Sequence, residues 1–207
     1  MNIIYRKLDL TFTKLTPFQS DSLFEELQSN KFCRLREASF KAANLQNVKA
    51  SSLAEVISRL EKVNLSFTEL TKDQLTALCE RINKRRNVNI KDIELFSVDL
   101  SPVNPKVLGK AVSFLENANL SNTELSHEQI QEILKFILDT KITRELNLDF
   151  SEVFNINQDL FARSVSLISS VSLACSGRAH SVLIYCNVGT LLQPSEYQYK
   201  SLELLPQ

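Results

Sequence analysis

An eleven-residue stretch occurs twice in this chain, and the repetition limits the possible folds more than any other feature. Leu60-Glu-Lys-Val-Asn-Leu-Ser-Phe-Thr-Glu-Leu70 shares eight letters with Leu115-Glu-Asn-Ala-Asn-Leu-Ser-Asn-Thr-Glu-Leu125, fifty-five positions later. Both copies place apolar residues at positions 1, 4, 6 and 11, the spacing L-x-x-L-x-L-x-x-x-x-L. With Leu65 as the central position, its equivalents are Leu10, Phe40, Leu95, Leu120, Leu148 and, where the motif fades, Leu173, at steps of 30, 25, 30, 25, 28 and 25. Long and short units therefore alternate.

The residues two before each central position, Leu8, Ala38, Val63, Ile93, Ala118, Leu146 and Val171, are all apolar. A strand with one buried face requires that period of two. Five after the centre come Leu15, Leu45, Leu70, Leu100, Leu125 and Val153, and the pattern first breaks at Arg178. Beyond each strand the period becomes about 3.6, as in Leu75, Leu78, Cys79 and Ile82 or Ile130, Ile133, Leu134 and Ile137, which predicts amphipathic helices. The short units do the same with Leu53, Val56, Ile57 and Leu60, with Leu108, Ala111, Val112 and Leu115, and with Phe161, Val165 and Ile168, where polar Ser164 interrupts. Thr16-x-x-Gln19, Thr71-x-x-Gln74 and Ser126-x-x-Gln129 read as capping boxes. Asn104 before Pro105 reads as the cap of a short-unit helix, Asn157 takes the equivalent place, and Lys49 does not fit it.

Strand, turn, helix and turn at this unit length predict a repeat array whose units bury their apolar faces against one another. The chain resembles the leucine-rich repeat proteins of the ribonuclease-inhibitor-like class over roughly residues 5–170. That resemblance implies an α/β solenoid, a horseshoe with a parallel inner sheet and outer helices. The expected organisation is an array of about six units over 1–170, then a degenerate seventh unit, cap and tail over 171–207. Ser181 to Tyr185 reads as a strand able to cover the C-terminal edge, and the tail from Gln193 reads as irregular. The class usually has Asn or Cys three after the centre, bonding backbone along the turns. Thr13, Ala43, Thr68, Val98, Thr123 and Ser151 stand there instead, so hydroxyls are expected to bond the ladder and Ala43 and Val98 to pack. No capping segment is evident before Tyr5, so self-association through an uncapped end is a further expectation.

The 24 basic and 24 acidic side chains cancel, leaving no net field toward nucleic acid or an anionic membrane, and neither is expected as a partner. The N-terminus lacks an apolar secretory core. Cys33, Cys79, Cys175 and Cys186 form no short paired spacing, and they read as reduced thiols of a cytoplasmic protein, Cys79 being buried. Arg178, His180 and two glycines interrupt the charge-poor stretch 164–193, which is not expected to span a membrane. Three glycines leave no glycine-rich phosphate loop, and His127 and His180 have no ligand-like spacing to cysteines. No catalytic residue, metal or cofactor is expected.

The remaining candidate surface is the sheet face turned away from the helices. One before the centre it presents Asp9, Asn64, Glu94, Asn119 and Asn147 as a polar spine. Two after the centre it presents Phe12, Phe67 and Phe150, with Phe96 one place away. Exposed rings among polar groups bury much area at small entropic cost, which is how protein interfaces concentrate binding energy; tucking under neighbouring turns is the packing alternative. Flanking charges of both signs suit a protein partner. The expected function is a non-catalytic scaffold that binds a protein across this face. The rivals are a regulator of an enzyme, such as a GTPase-activating protein of the same repeat class, and a truncated array without independent function.

Overall fold

Seven short strands lie parallel in chain order, and a helix separates each from the next, in a computed structural model that describes residues 6–29, 34–149, 151, 156–174 and 181–185. The elements are β1 (Lys7–Asp9), α1 (Pro17–Ser29), β2 (Glu37–Ser39), α2 (Ala50–Arg59), β3 (Lys62–Asn64), α3 (Lys72–Asn83) and β4 (Asp92–Glu94). They continue as α4 (Pro105–Val112), β5 (Asn117–Asn119), α5 (His127–Thr140), β6 (Glu145–Asn147), α6 (Gln158–Val165), β7 (Ser170–Ala174) and β8 (Ser181–Tyr185). The last strand runs antiparallel against β7 and covers that edge, as the β-branched run at 181–185 predicts.

Register follows the repeat. Leu8, Ala38, Val63, Ile93, Ala118, Leu146 and Val171 lie side by side across the parallel sheet. Ala38 through Val171 in that row are buried against the helix layer, while Leu8 on the first strand is half-buried. The central residues Phe40, Leu65, Leu95, Leu120 and Leu148 follow the strands directly and are also buried. Each helix packs on the next, α1 on α2 through α5 on α6, so one apolar layer runs between helices and sheet. A one-residue slip would exchange that layer for the polar face, so the hydrophobic pattern holds the register.

Local chemistry starts each helix where the sequence predicts. Thr71 and Ser126 make complete capping boxes with Gln74 and Gln129, and Asn104 accepts from Lys106 N and Val107 N ahead of α4. Asn157 accepts from Leu160 N, whereas Lys49 makes no side-chain cap. Ser164 is buried, its hydroxyl within hydrogen-bond reach of Leu134 O at 3.0 Å and Leu160 O at 2.7 Å, so the polar interruption in α6 satisfies itself while tying α6 to α5.

The ladder between turns is built differently from the expectation. The Thr68 and Thr123 hydroxyls donate to Leu65 O at 2.5 Å and Leu120 O at 2.6 Å, closing their own turns rather than reaching the next unit. A threonine side chain is too short to do both. The link between units comes from the capping-box glutamines: Gln74 Nε2 donates to Leu45 O at 2.7 Å and Val48 O at 2.6 Å, and Gln129 Nε2 to Leu100 O and Val103 O, both at 2.8 Å. Ala43 and Val98 pack in the core as expected.

Gly109 shows how closely α4 and α5 approach. A Cβ there would lie 2.7 Å from Glu132 C, 2.8 Å from Glu132 O and 2.9 Å from Ile133 N, all backbone atoms that a side-chain rotation cannot move. Gly109→Ala gains about 1 kcal/mol of helix propensity but forces the two helices apart. The net expectation is a loss of about 1–3 kcal/mol, measurable as a lower urea midpoint.

Candidate functional site

The face of the sheet away from the helices is held by hydrogen bonds before it offers any to a ligand. Asp9 Oδ1 accepts from Thr11 N at 3.0 Å, Asn64 Oδ1 from Ser66 N at 2.9 Å, Asn119 Oδ1 from Ser121 N at 3.1 Å and Asn147 Oδ1 from Asp149 N at 2.9 Å. A short carboxylate or amide two residues before a free N–H mimics a backbone turn. These four spine residues therefore fasten the chain as it leaves each strand. Hydrogen bonds from the Thr11 hydroxyl and backbone N–H hold the Asp9 carboxyl below its usual range. Glu94 is the exception: it accepts from Asn64 Nδ2 at 2.6 Å and faces Lys62 at 3.8 Å. Ser39 bonds Thr11, and Ser172 donates to Asp149, both at 2.7 Å.

The positions two after the centre are corners rather than strand residues, which corrects the reading of them as sheet-face positions. Phe12, Ala42, Phe67, Ser97 and Asn122 all adopt left-handed backbone, with φ between 55° and 60°. Their N–H groups donate along the rim, Phe12 to Lys41 O, Ala42 to Ser66 O and Phe67 to Phe96 O, so the parallel ladder continues past the strands. That conformation is costly for bulky L-residues. Because Ala42, Ser97 and Asn122 make the same corner, the corner itself does not require a ring.

Around those corners the fold assembles three rings and one cation. Phe12 is 70% exposed and Phe67 48%, while Phe96 is half-buried and meets Phe67 edge-on with centroids 4.9 Å apart. Small Ala42 leaves a gap between Phe12 and Phe67, and Lys41 fills it, its Nζ 5.8 Å from one ring centroid and 5.4 Å from the other. Cation–π attraction at an exposed site of this kind is worth about 0.5–1 kcal/mol. The sequence reading missed Lys41, although its place one after the centre, between two units bearing phenylalanine, was legible. It also missed Phe18, 80% exposed on the first turn of α1, out of phase with buried Ser20 and Phe24. Phe150 lies outside the described residues, as do Cys33, Cys175, Arg178, His180, Cys186, Val153 and the tail from Gln193.

The other residues singled out for chemistry lie apart from this cluster. His127 opens α5. Cys79 is buried in α3, where desolvation, with a smaller contribution from Glu80, pushes its thiol up to about 12. Thiolate chemistry is thereby suppressed. Among the described residues, no group of three or more His, Cys, Asp or Glu is placed to hold a metal ion, and no helix is long and apolar enough to cross a membrane. What the aromatic cluster offers is burial of ring surface and a cation held between rings.

No protein-family model matches the sequence, and no curated protein matches it.

Proposed function

We propose that this chain is a leucine-rich repeat array of the ribonuclease-inhibitor-like kind, a curved solenoid that works without catalysis by binding another protein. The unit length, the parallel strands in chain order and a helix in every described unit support the solenoid reading. The single observation that carries the binding reading is the cluster of Phe12, Lys41, Phe67 and Phe96. Two large rings are kept exposed at backbone corners where a smaller residue serves equally well. Strained backbone bearing exposed aromatics points to use by a partner. The adjacent strand surface contributes polar contacts, its Asn64, Glu94, Asn119 and Asn147 half-buried at the rim of that patch.

The test is affinity purification of partners on the wild-type chain and on a Phe12→Ala, Phe67→Ala variant, with Leu167→Ala, an exposed apolar residue on the opposite rim, as the control. The expected result is a partner retained by wild type and control and weakened more than about tenfold in the double variant, since ring hot spots are worth about 2 kcal/mol or more. Equal retention by all three chains would remove the rings from the interface.

A further inference from the structure

Net neutrality hides a segregation of charge that only the fold reveals. All seven parallel strands enter the sheet from one edge, so the residues preceding them share a rim opposite the aromatic corners. Backbone hydrogen bonds order that rim: Arg36 N donates to Arg6 O, Glu61 N to Arg36 O, Lys91 N to Glu61 O, Glu116 N to Lys91 O and Arg144 N to Glu116 O. Both carboxylates in this row are already paired, Glu61 with Arg36 and Glu116 with Lys91, each at 3.1 Å. The connections just outside the row add further cations, and Arg85 lies over the Phe114 ring at 4.5 Å. Arg6, Arg34, Lys84, Arg86, Lys141 and Arg144 remain exposed, with no ion pair among the described residues; Glu37, Glu80, Asp139 and Glu145 are exposed on the same side, so the rim carries a surplus of cations rather than cations alone.

Helix ends account for part of this surplus. Lys84 and Lys141 are the C-cap residues of α3 and α5, where a cation offsets the negative end of the helix dipole. Arg34, Arg86 and Arg144 lie beyond the last turns, where that effect has faded. The same rim also exposes Leu167, at 38%, in the connection from α6 to β7. Among the described residues, the large exposed rings, Phe12, Phe18 and Phe67, belong to the β-to-α side, and on the basic rim the half-buried Phe114 ring is already covered by Arg85, so that rim offers no open platform on which to stack bases. Duplex nucleic acid would use the cations and leave Leu167 idle.

We propose that this rim docks on an anionic phospholipid surface, the arginines meeting headgroup phosphates and carboxylates while Leu167 enters the interfacial layer. Opposite-facing rims then let the aromatic corners meet a protein while the basic rim lies on the membrane. This goes beyond the protein-binding reading and stands or falls separately from it. Each basic residue near such a surface strengthens binding about fivefold, and salt weakens it because these charges are exposed.

The experiment is cosedimentation of the full chain with phosphatidylcholine vesicles, with and without phosphatidylserine at 3 parts in 10, at about 0.1 M salt, where the Debye length is about 10 Å. Binding is expected only with phosphatidylserine, and the Arg34→Gln, Arg86→Gln, Arg144→Gln chain is expected to partition about a hundredfold more weakly. A Lys14→Gln, Lys72→Gln, Lys106→Gln chain, with the same loss of charge on the opposite side, stays within about threefold of wild type by the same reasoning. Leu167→Ser, which leaves charge untouched, binds several-fold more weakly, and this arm holds should the triple variant fold poorly. Absence of binding to phosphatidylserine, equal loss in the two triple variants, or release of the protein from vesicles by duplex RNA at equal phosphate concentration would each overturn the proposal, the last in favour of a soluble polyanion.

Discussion

Leu65→Ala is expected to lower the unfolding free energy by about 2–5 kcal/mol, whereas Phe67→Ala, two residues on, lowers it by about 1 kcal/mol or less. Leu65 is wholly buried between sheet and helices, so truncation leaves a cavity that the surrounding repeats close only partly. Its backbone bonds survive the change: its N–H still donates to Glu94 O and its carbonyl still accepts from Thr68. The loss is therefore one of packing. Phe67 is 48% exposed, and alanine forfeits mainly the edge-on contact with Phe96. Phe67→Gly recovers part of even that, because glycine adopts the corner's φ of 60° without the penalty of about 1–2 kcal/mol borne by a side chain. Urea unfolding of the three variants checks the contrast. A cost for Phe67→Ala equal to that for Leu65→Ala would make the ring a core residue and withdraw it from any interface.

Gln129→Ala is expected to cost about 2–4 kcal/mol, the sum of the lost reciprocal half of the capping box, the Ser126 hydroxyl still accepting from the N–H of residue 129, and buried carbonyls left without a donor. Its side chain is 1% exposed and fully used: Oε1 accepts from Ser126 N at 2.9 Å while Nε2 donates to Leu100 O and Val103 O. Leu100 O keeps a bond from Val103 N, so the unpaired carbonyl is chiefly that of Val103. Gln19 supplies the comparison. It makes the same capping box with Thr16, at 2.9 and 3.3 Å, yet lies exposed in the first described unit, where water can replace whatever its amide loses. Gln19→Ala should therefore cost only about 0.5–1 kcal/mol. Thermal unfolding of the two variants separates capping from cross-unit bonding; equal losses would mean that the buried amide contributes nothing beyond the cap.

The two glutamines also show why the repeat was legible in sequence and part of its stabilisation was not. Capping boxes and apolar spacing are local patterns: a hydroxyl three residues before Gln129 announces a helix start whatever the rest of the chain does. The second use of the same amide depends on two carbonyls supplied from 26 and 29 residues away, and no local pattern encodes that reach. The threonine hydroxyls went the other way. They were expected between turns, but a hydroxyl carried directly on Cβ finds its own turn's carbonyl first.

The candidate surface divides along the same line. Phe12 and Phe67 were legible as one row, because the repeat register gives them equivalent places, but their exposure comes from the corner after the strand, where period two no longer applies. Lys41 was not, since its amine comes between the rings only because Ala42 leaves room two strands wide. The spine residues Asp9, Asn64, Asn119 and Asn147 face outward as read, but their turn-closing bonds appear only once the backbone bends after each strand.

By itself the sequence determined the α/β class, the strand register, the helix starts and the buried face, because each is written in residue spacings that short-range geometry converts directly into structure. The tertiary structure alone decided the left-handed corners that hold the rings, the glutamine bonds between units and the surplus of cations on one rim among the described residues. Those depend on residues tens of positions apart being carried to the same edge, and a sum over the sequence, such as a net charge of zero, averages over that placement.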